Sequence, residues 1–251
     1  MIQIITGMKT SVWDQSLPES IQRLISNIQS QSVLVPKIAR QCILDARISP
    51  EDLIGWADFN HPITDSYGRK LVYECDSFEI MVMSWAPGDY STIHDHGVAQ
   101  WGAVQCFGEA EHYVYTLTDG VLQTLKRLDF SSGEVKAVAD DMIHQMGNPG
   151  ESCFFSLHIY GTENSKGSIT SNARIFDLLE GSIQRTDGGV FFCLPETQIK
   201  KRHYGLQADA ETTLRHHEKM RDRICQILAV QDNPLLRSKL AILDEQISQL
   251  K

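Results

Sequence analysis

The 251-residue sequence lacks the features that mark several large classes of protein. Its six cysteines are widely spaced and include no Cys-x-x-Cys pair, so neither a zinc ribbon nor a dense disulfide framework is expected. No stretch approaches the roughly 20 apolar residues of a membrane span, and the first residues show no charged-then-apolar leader. We therefore expect a protein without a membrane partner, located in the cytoplasm.

The sequence also has little positive charge. It carries 23 basic and 32 acidic residues, for a formal net charge of −9 at pH 7. A protein that binds the phosphate backbone of nucleic acid needs a basic face, whereas the lysines and arginines here are scattered. The short run Lys200-Lys201-Arg202 is interpreted as a solvated surface stretch. Nucleic acid is therefore excluded as an expected partner.

Helical spacing of apolar residues predicts helices at both ends of the chain. Residues 17–57 are predicted to form three short helices, of which the second and third begin at Pro36 and Pro50. The tail becomes helical again from about Ala208. Its last stretch repeats apolar residues at three-four spacing: Leu236, Leu240, Leu243, Ile247 and Leu250. We expect this helix to pack on its own domain in a monomer, with a homodimer seam as the alternative.

Between about residues 71 and 176 the apolar pattern changes to a period of two. Clear examples are residues 78–83, 110–115 and 153–160, and turn signals such as Pro87-Gly88-Asp89 separate them. Many short strands with this punctuation predict a sandwich or a barrel. Residues 188–192 are expected to supply one last strand.

Two histidines, His94 and His96, are spaced so that they can act together. Alternate residues of a strand share one face, so both imidazoles can point into a barrel. Imidazole is a common ligand of iron, zinc, copper and nickel. A His-x-His pair alone is equally compatible with two surface histidines, and its surroundings must decide.

Those surroundings resemble the two sequence motifs of the cupin superfamily. Five residues separate Gly88 from His94, as in the first motif, and His144 followed by Asn148 matches the end of the second. The resemblance implies a mainly β fold with flanking α-helices, in which a cupin (jelly-roll) β-barrel spans residues 61–195. An N-terminal helical segment would cover residues 1–60 and a C-terminal helical extension residues 196–251.

The same motifs imply that His94, His96 and His144 bind a metal ion. The position where the first motif has a glutamate is filled by Trp101, so three neutral imidazoles are expected without a carboxylate. Such a set leaves the full +2 charge of a metal ion to be shared with anionic ligands. Glu109 and Glu111 remain as alternative candidates for a fourth ligand.

A second pattern, Ser156-x-His158-x-Tyr160, places three polar side chains on one strand face. They either face solvent or form a hydrogen-bonded chain inside the barrel. Together with Arg69, this strand and the metal motifs occur in the order seen in cysteine dioxygenases, the thiol dioxygenase branch of the cupins. The resemblance covers roughly residues 65–162, under half of the chain.

This resemblance implies an Fe(II) enzyme that uses O2 to convert a small amino-acid thiol, preferably L-cysteine, to its sulfinic acid. Arg69 would bind the substrate carboxylate, because a guanidinium matches a carboxylate with two hydrogen bonds. Tyr160 would act in the pocket, held by His158 and Ser156. Tyr67 and Trp101 are further candidates for substrate contact.

Other functions remain open. The thiol could be 3-mercaptopropionate or a secondary-metabolite thiol, although dioxygenases of 3-mercaptopropionate tend to have glutamine where Arg69 stands. A different metal-cupin enzyme, such as an isomerase, or a non-catalytic cupin would not need Arg69 or the Ser-His-Tyr strand. The chain departs from mammalian-type members because no cysteine lies between His96 and Cys106, so no cross-link to Tyr160 is expected. The remaining histidines, His61, His112, His203, His216 and His217, are interpreted as structural or surface residues.

Overall fold

A computed structural model describes residues 17–163 and 168–251 of the protein. The described chain begins with three helices, α1 (Glu19–Gln29), α2 (Pro36–Ala46) and α3 (Pro50–Leu53), and one 3-10 turn (Ile54–Trp56) follows. Helices α2 and α3 start with proline, which lacks the N–H that a first helical turn leaves unpaired. The side chains of Ser49 and Asp52 cap the start of α3 reciprocally. The three helices predicted for residues 17–57 are confirmed.

Twelve strands follow: β1 (Gly68–Glu74), β2 (Phe78–Trp85), β3 (Trp101–Cys106), β4 (Glu111–Thr118), β5 (Val121–Arg127), β6 (Val135–Ala139), β7 (Ile143–Gly147), β8 (Phe154–Gly161), β9 (Ala173–Asp177), β10 (Ser182–Thr186), β11 (Lys201–Tyr204) and β12 (Gln207–Ala208). One sheet has the order β1-β2-β8-β3-β6 and another the order β12-β5-β4-β7, while β11-β10-β9 form a third. The chain alternates between the first two sheets, so that β3 and β6 pair in one sheet while β4, β5 and β7 pair in the other. This arrangement is a cupin-like jelly roll and confirms the expected mainly β fold with flanking helices.

The first sheet separates two apolar layers, which explains why β2 and β8 are buried along their whole length. One face packs on the N-terminal helices, where Ile80 and Val82 of β2 join Leu24 of α1 in one core cluster. The other face, with Met81 and Met83, belongs to a second cluster inside the barrel. Since the outer face of β2 is covered by the helices, only side chains on its inner face can reach a site inside the barrel.

Two long helices, α4 (Ala210–Val230) and α5 (Pro234–Leu250), complete the fold. The apolar stripe of α5 is used within the chain, because Leu236, Leu243 and Ile247 are buried in one cluster with Met220 of α4. No helix in residues 17–163 or 168–251 has the long, weakly charged apolar run needed to cross a bilayer.

One local prediction was wrong. Residues 188–192 form no strand, since the N–H groups of Val190 and Phe192 donate to the side-chain hydroxyls of Tyr67 and Ser66 instead of a ladder. In the basic run at residues 200–202, Lys200 and Lys201 are exposed as predicted, and Arg202 is partly buried. Lys201 and Arg202 belong to β11, which pairs with β10, and Arg202 also forms an ion pair with Glu196 at 2.7 Å.

Candidate metal centre

The segment that carries His94 and His96 is extended but irregular, and it is not the regular strand that the sequence predicted. It is held between β7 and β9. His94 exchanges two backbone hydrogen bonds of 2.9 Å with His144 of β7, and the N–H of Asp95 donates to the carbonyl of Arg174 on β9 at 3.0 Å. The side chain of Asp95 pairs with the Arg174 guanidinium. The backbone thereby places all three histidines beside one another.

The three imidazoles converge on a common point. Nε2 of His144 lies 3.1 Å from Nε2 of His94 and 3.0 Å from Nε2 of His96, and the three candidate ligand atoms all lie within 4.8 Å of one another. Two nitrogens bound at about 2.1 Å to one ion and at right angles would be separated by about 3 Å. The three side chains therefore fit a shared metal ion. Among the described residues, they form the one such cluster of histidine, cysteine or acidic side chains.

The protonation state of the cluster suits metal binding. Burial lowers the pKa of His94 to about 4 and the pKa values of His96 and His144 well below their usual range, and the neighbouring histidines lower the last two further. The imidazoles are therefore neutral at pH 7, and a neutral imidazole is the form that offers a lone pair to a metal.

The outer nitrogens of two ligands are anchored. Nδ1 of His94 donates to the carbonyl oxygen of Thr92 at 2.9 Å, and Nδ1 of His144 lies 2.9 Å from Nε2 of His112. Nδ1 of His112 in turn lies 3.2 Å from the carbonyl oxygen of Leu128, to which it donates. His112 Nε2 therefore accepts a hydrogen bond from the Nδ1–H of His144, and His144 keeps Nε2 free for a metal. Nδ1 of His96 has no hydrogen-bond partner among the described residues.

His112 was not predicted to take part in the site, but only to be a structural or surface residue. Its side chain is buried and burial lowers its pKa to about 4. His112 and His144 lie on the neighbouring strands β4 and β7, 32 positions apart in sequence. The sequence signal available was the alternation of side chains along β4, which places His112 on the same face of the strand as Val114.

Within residues 17–163 and 168–251, no carboxylate joins the histidine cluster. The exposed Glu109 accepts a hydrogen bond from the N–H of Ser132 at 3.1 Å. The buried Glu111 forms an ion pair with Arg215 and accepts a hydrogen bond from Tyr90 at 3.1 Å. Both acids are thus engaged elsewhere, in agreement with the expectation of three neutral ligands.

Beside the histidines lies a small pocket of about 30 Å³. One water needs roughly 10–15 Å³ of such space, so the pocket admits only a small ligand unless its walls move. Arg69, Tyr67 and Tyr160 line it with His94 and His96, as the sequence analysis expected of a substrate pocket. The remaining lining residues include Met81, Met83, Asp95, Thr170 and Val190.

Trp101 does not line this pocket. Strand β3 presents Trp101 and Ala103 to the core cluster beneath the N-terminal helices, while Val104 faces the barrel interior. The inward position is Gly102, where an added Cβ would lie 2.8 Å from the Tyr160 ring. The expectation that Trp101 contacts substrate is therefore corrected, and its indole instead covers Gly161 on β8.

Ser156, His158 and Tyr160 form a continuous chain of hydrogen bonds along β8. Ser156 Oγ lies 2.7 Å from His158 Nε2, and His158 Nδ1 lies 3.0 Å from the Tyr160 hydroxyl. The chain extends to Trp85, whose indole N–H donates to Ser156 at 2.9 Å. Burial lowers the pKa of His158 to about 3 and raises the pKa of Tyr160, so both side chains are neutral at pH 7. The Tyr160 ring also stacks on His96, with the ring centroids 4.6 Å apart.

A search against family models finds no match for this chain. Among solved structures the chain is similar to an uncharacterized conserved protein with a double-stranded β-helix domain from Klebsiella pneumoniae, at 16% identity over 50% of this chain and 93% of that chain, with a TM-score of 0.38. It is also similar to an RmlC-like cupin protein from Desulfovibrio desulfuricans, at 17% identity over 41% and 92% of the two chains, with a TM-score of 0.31. A third is an oxalate decarboxylase–formate complex from Lactobacillus farciminis, at 13% identity over 39% and 30% of the chains, with a TM-score of 0.34. Likenesses at this level carry no argument about activity.

Proposed function

We propose that this protein is an Fe(II)-dependent thiol dioxygenase that converts L-cysteine and O2 to cysteine sulfinic acid. The observation that carries the proposal is the pocket itself. His94 and His96 of the neutral three-histidine cluster line one small pocket together with Arg69 and Tyr160. The resemblance of the same residues to those of cysteine dioxygenases supports the choice of iron and of cysteine.

The reaction adds both atoms of O2 to one sulfur. The thiol RSH and O2 give RSO2H, so sulfur loses four electrons, dioxygen accepts them, and no further reductant is needed. Bound iron would supply the chemistry that ionises the thiol and activates dioxygen.

The residues of the chain bind and orient the substrate. Arg69 binds its carboxylate at the pocket wall, where the guanidinium also donates to Thr170 at 3.3 Å. In one arrangement His158 donates from Nδ1 to the Tyr160 oxygen and accepts from Ser156 at Nε2, which leaves the phenol proton to face the pocket. Met81 and Met83 exclude water from the wall between these groups.

The test is oxygen consumption by the Fe(II)-loaded protein with a panel of thiols, with the product identified by mass. We expect L-cysteine to be oxidised to the sulfinate with one O2 consumed per thiol. Arg69→Gln should raise the KM for L-cysteine, because the carboxylate loses its charged partner. Oxidation of 3-mercaptopropionate or a larger thiol in place of cysteine would reassign the substrate. Absence of oxygen uptake with every thiol in the iron-loaded protein would overturn the proposal.

A further inference from the structure

The hydrogen bonds along Ser156, His158 and Tyr160 can run in two directions, and a residue outside that motif distinguishes them. Trp85, the last residue of β2, donates from its indole nitrogen to Ser156 Oγ at 2.9 Å. In the pairing of β2 with β8, Trp85 lies opposite Phe154, and Ser156 is the next residue of β8 on the same face. Trp85 and the three motif side chains are all buried, so their polar atoms depend on one another for hydrogen bonds.

The indole of Trp85 is held in place from several sides. Its ring stacks on Tyr67, with the ring centroids 4.7 Å apart, and lies 6.3 Å from the ring centroid of Phe154. The backbone carbonyl of Trp85 accepts a hydrogen bond of 3.0 Å from the side-chain amide of Asn148, the residue that ends the second sequence motif. The indole N–H is therefore a donor with a fixed position.

This donor determines what Ser156 can do. An indole nitrogen only donates, so Ser156 Oγ accepts from Trp85. The hydroxyl has one proton of its own, and His158 Nε2, 2.7 Å away, is its one other partner among the described residues. His158 is neutral and carries a single N–H. If Ser156 donates to Nε2, that N–H is at Nδ1 and donates to the Tyr160 oxygen over 3.0 Å.

The reverse direction leaves a buried proton without an acceptor. His158 would donate from Nε2 to Ser156, whose oxygen would then accept two hydrogen bonds while its own proton had no partner. Nδ1 would accept from Tyr160, and the phenol proton would turn away from the pocket. An unpaired buried donor shifts such an equilibrium by about tenfold to hundredfold, so the first direction is favoured.

We infer that Trp85 is a positioning residue that sets the direction of these hydrogen bonds, so that Tyr160 donates its phenol proton into the pocket. This inference rests on the proposed function for its meaning in catalysis and deepens it. The group of a bound ligand that meets Tyr160 must accept a hydrogen bond, and a group that can only donate is disfavoured there.

The experiment measures which ring nitrogen of His158 carries the proton. The full-length protein is labelled with nitrogen-15 histidine and loaded with Zn(II), which is diamagnetic, and long-range proton–nitrogen correlation spectra distinguish protonated from unprotonated ring nitrogens. The signals of His158 are identified by their absence in His158→Asn. We expect the wild-type proton on Nδ1 in at least about tenfold excess over Nε2. In Trp85→Phe neither orientation of the Ser156 hydroxyl satisfies all its polar atoms, so the two forms should be about equally populated.

Two controls separate this effect from a general disturbance of the core. His112 donates from Nδ1 to the carbonyl of Leu128 and has no hydrogen bond to Trp85, so its protonated nitrogen should be the same in every variant. Trp56→Phe removes a partly buried indole from the core cluster beneath the N-terminal helices and should leave His158 as in the wild type.

A second variant keeps the inference testable if Trp85→Phe does not fold, as judged by thermal unfolding. Ser156→Ala removes one oxygen and thereby the connection between Trp85 and His158. The same loss of preference at His158 is expected.

The outcomes separate the two proposals. A wild-type His158 protonated at Nε2, or a folded Trp85→Phe or Ser156→Ala protein that keeps a tenfold preference for Nδ1, would overturn the role of Trp85. The expected spectra without oxidation of any thiol would retain that role and overturn the dioxygenase. Oxidation of L-cysteine by a protein whose His158 is protonated at Nε2 would retain the dioxygenase and overturn the role of Trp85.

Discussion

Replacement of His112 by phenylalanine is expected to weaken metal binding, although none of the three candidate metal ligands is replaced. His112 Nε2 accepts a hydrogen bond from the Nδ1–H of His144 at 2.9 Å, and both side chains are buried. Phenylalanine fills a similar volume but accepts no hydrogen bond. In the variant, His144 is free to move its proton to Nε2, where it can donate to His94 or His96, 3.1 and 3.0 Å away. A metal ion must then displace that proton before it binds.

The size of the effect follows from the loss of one anchoring hydrogen bond in the buried interior. Loss of such a partner costs roughly tenfold to a hundredfold in metal affinity, or about 1.4–2.7 kcal/mol. The assay is competition for Zn(II) or Co(II) with a chelator of known affinity, and thermal unfolding of the metal-free protein reports any separate loss of stability. His203→Phe, at an exposed histidine of β11, is the control and should bind metal as the wild type does. If the His112→Phe protein is folded and its metal affinity lies within about twofold of the wild type, His112 does not orient His144 for metal binding.

Three further outcomes are expected. Tyr160→Phe should retain iron but oxidise thiols at least about tenfold more slowly, because the phenol lines the pocket without binding the ion. Oxygen uptake and metal content are measured side by side, and an unchanged turnover rate would show that Tyr160 takes no part in the reaction. Gly102→Ala places a Cβ 2.8 Å from both the Tyr160 ring and the carbonyl of Ile159, so urea unfolding should show a loss of about 1–3 kcal/mol, whereas Gly55→Ala, with nothing within 4 Å, should show almost none. Burial lowers the pKa of His216 to about 3 in the folded protein. As the pH falls below about 6.5, His216 is therefore protonated in the unfolded protein but not in the folded one, and the free energy of unfolding decreases. His216→Asn should therefore lose about 1.4 kcal/mol less than the wild type between pH 7.5 and 5.5 in urea unfolding, and identical slopes would contradict this.

Patterns within one strand predicted the site well. The Ser156-His158-Tyr160 chain is encoded by alternation along β8, because side chains at i and i+2 share a face whatever the rest of the fold does. His94 and His96 are brought together by the same spacing, although their segment is irregular. Helix starts at Pro36 and Pro50 were likewise fixed by local chemistry.

Predictions that needed a register or a contact between distant segments failed. Trp101 and Gly102 differ by one position, and a one-residue shift exchanges the faces of a strand, so motif counting alone placed the wrong side chain in the pocket. The contact of His112 with His144 depends on the pairing of β4 with β7. His216 and His217 were interpreted as structural or surface residues, and the structure buries both, with their Nδ1 atoms 3.1 Å apart.

The charge distribution in the barrel interior connects the metal centre with the choice of substrate. Burial keeps five histidines in and around the site neutral, so the ligand set contributes no negative charge. They are His94, His96, His144, His112 and His158. A divalent ion held by neutral ligands in a buried site favours anionic partners, and a thiol becomes one by losing a single proton. The interior is therefore suited to a ligand that becomes anionic where it meets the metal ion, as the proposed thiol substrate would.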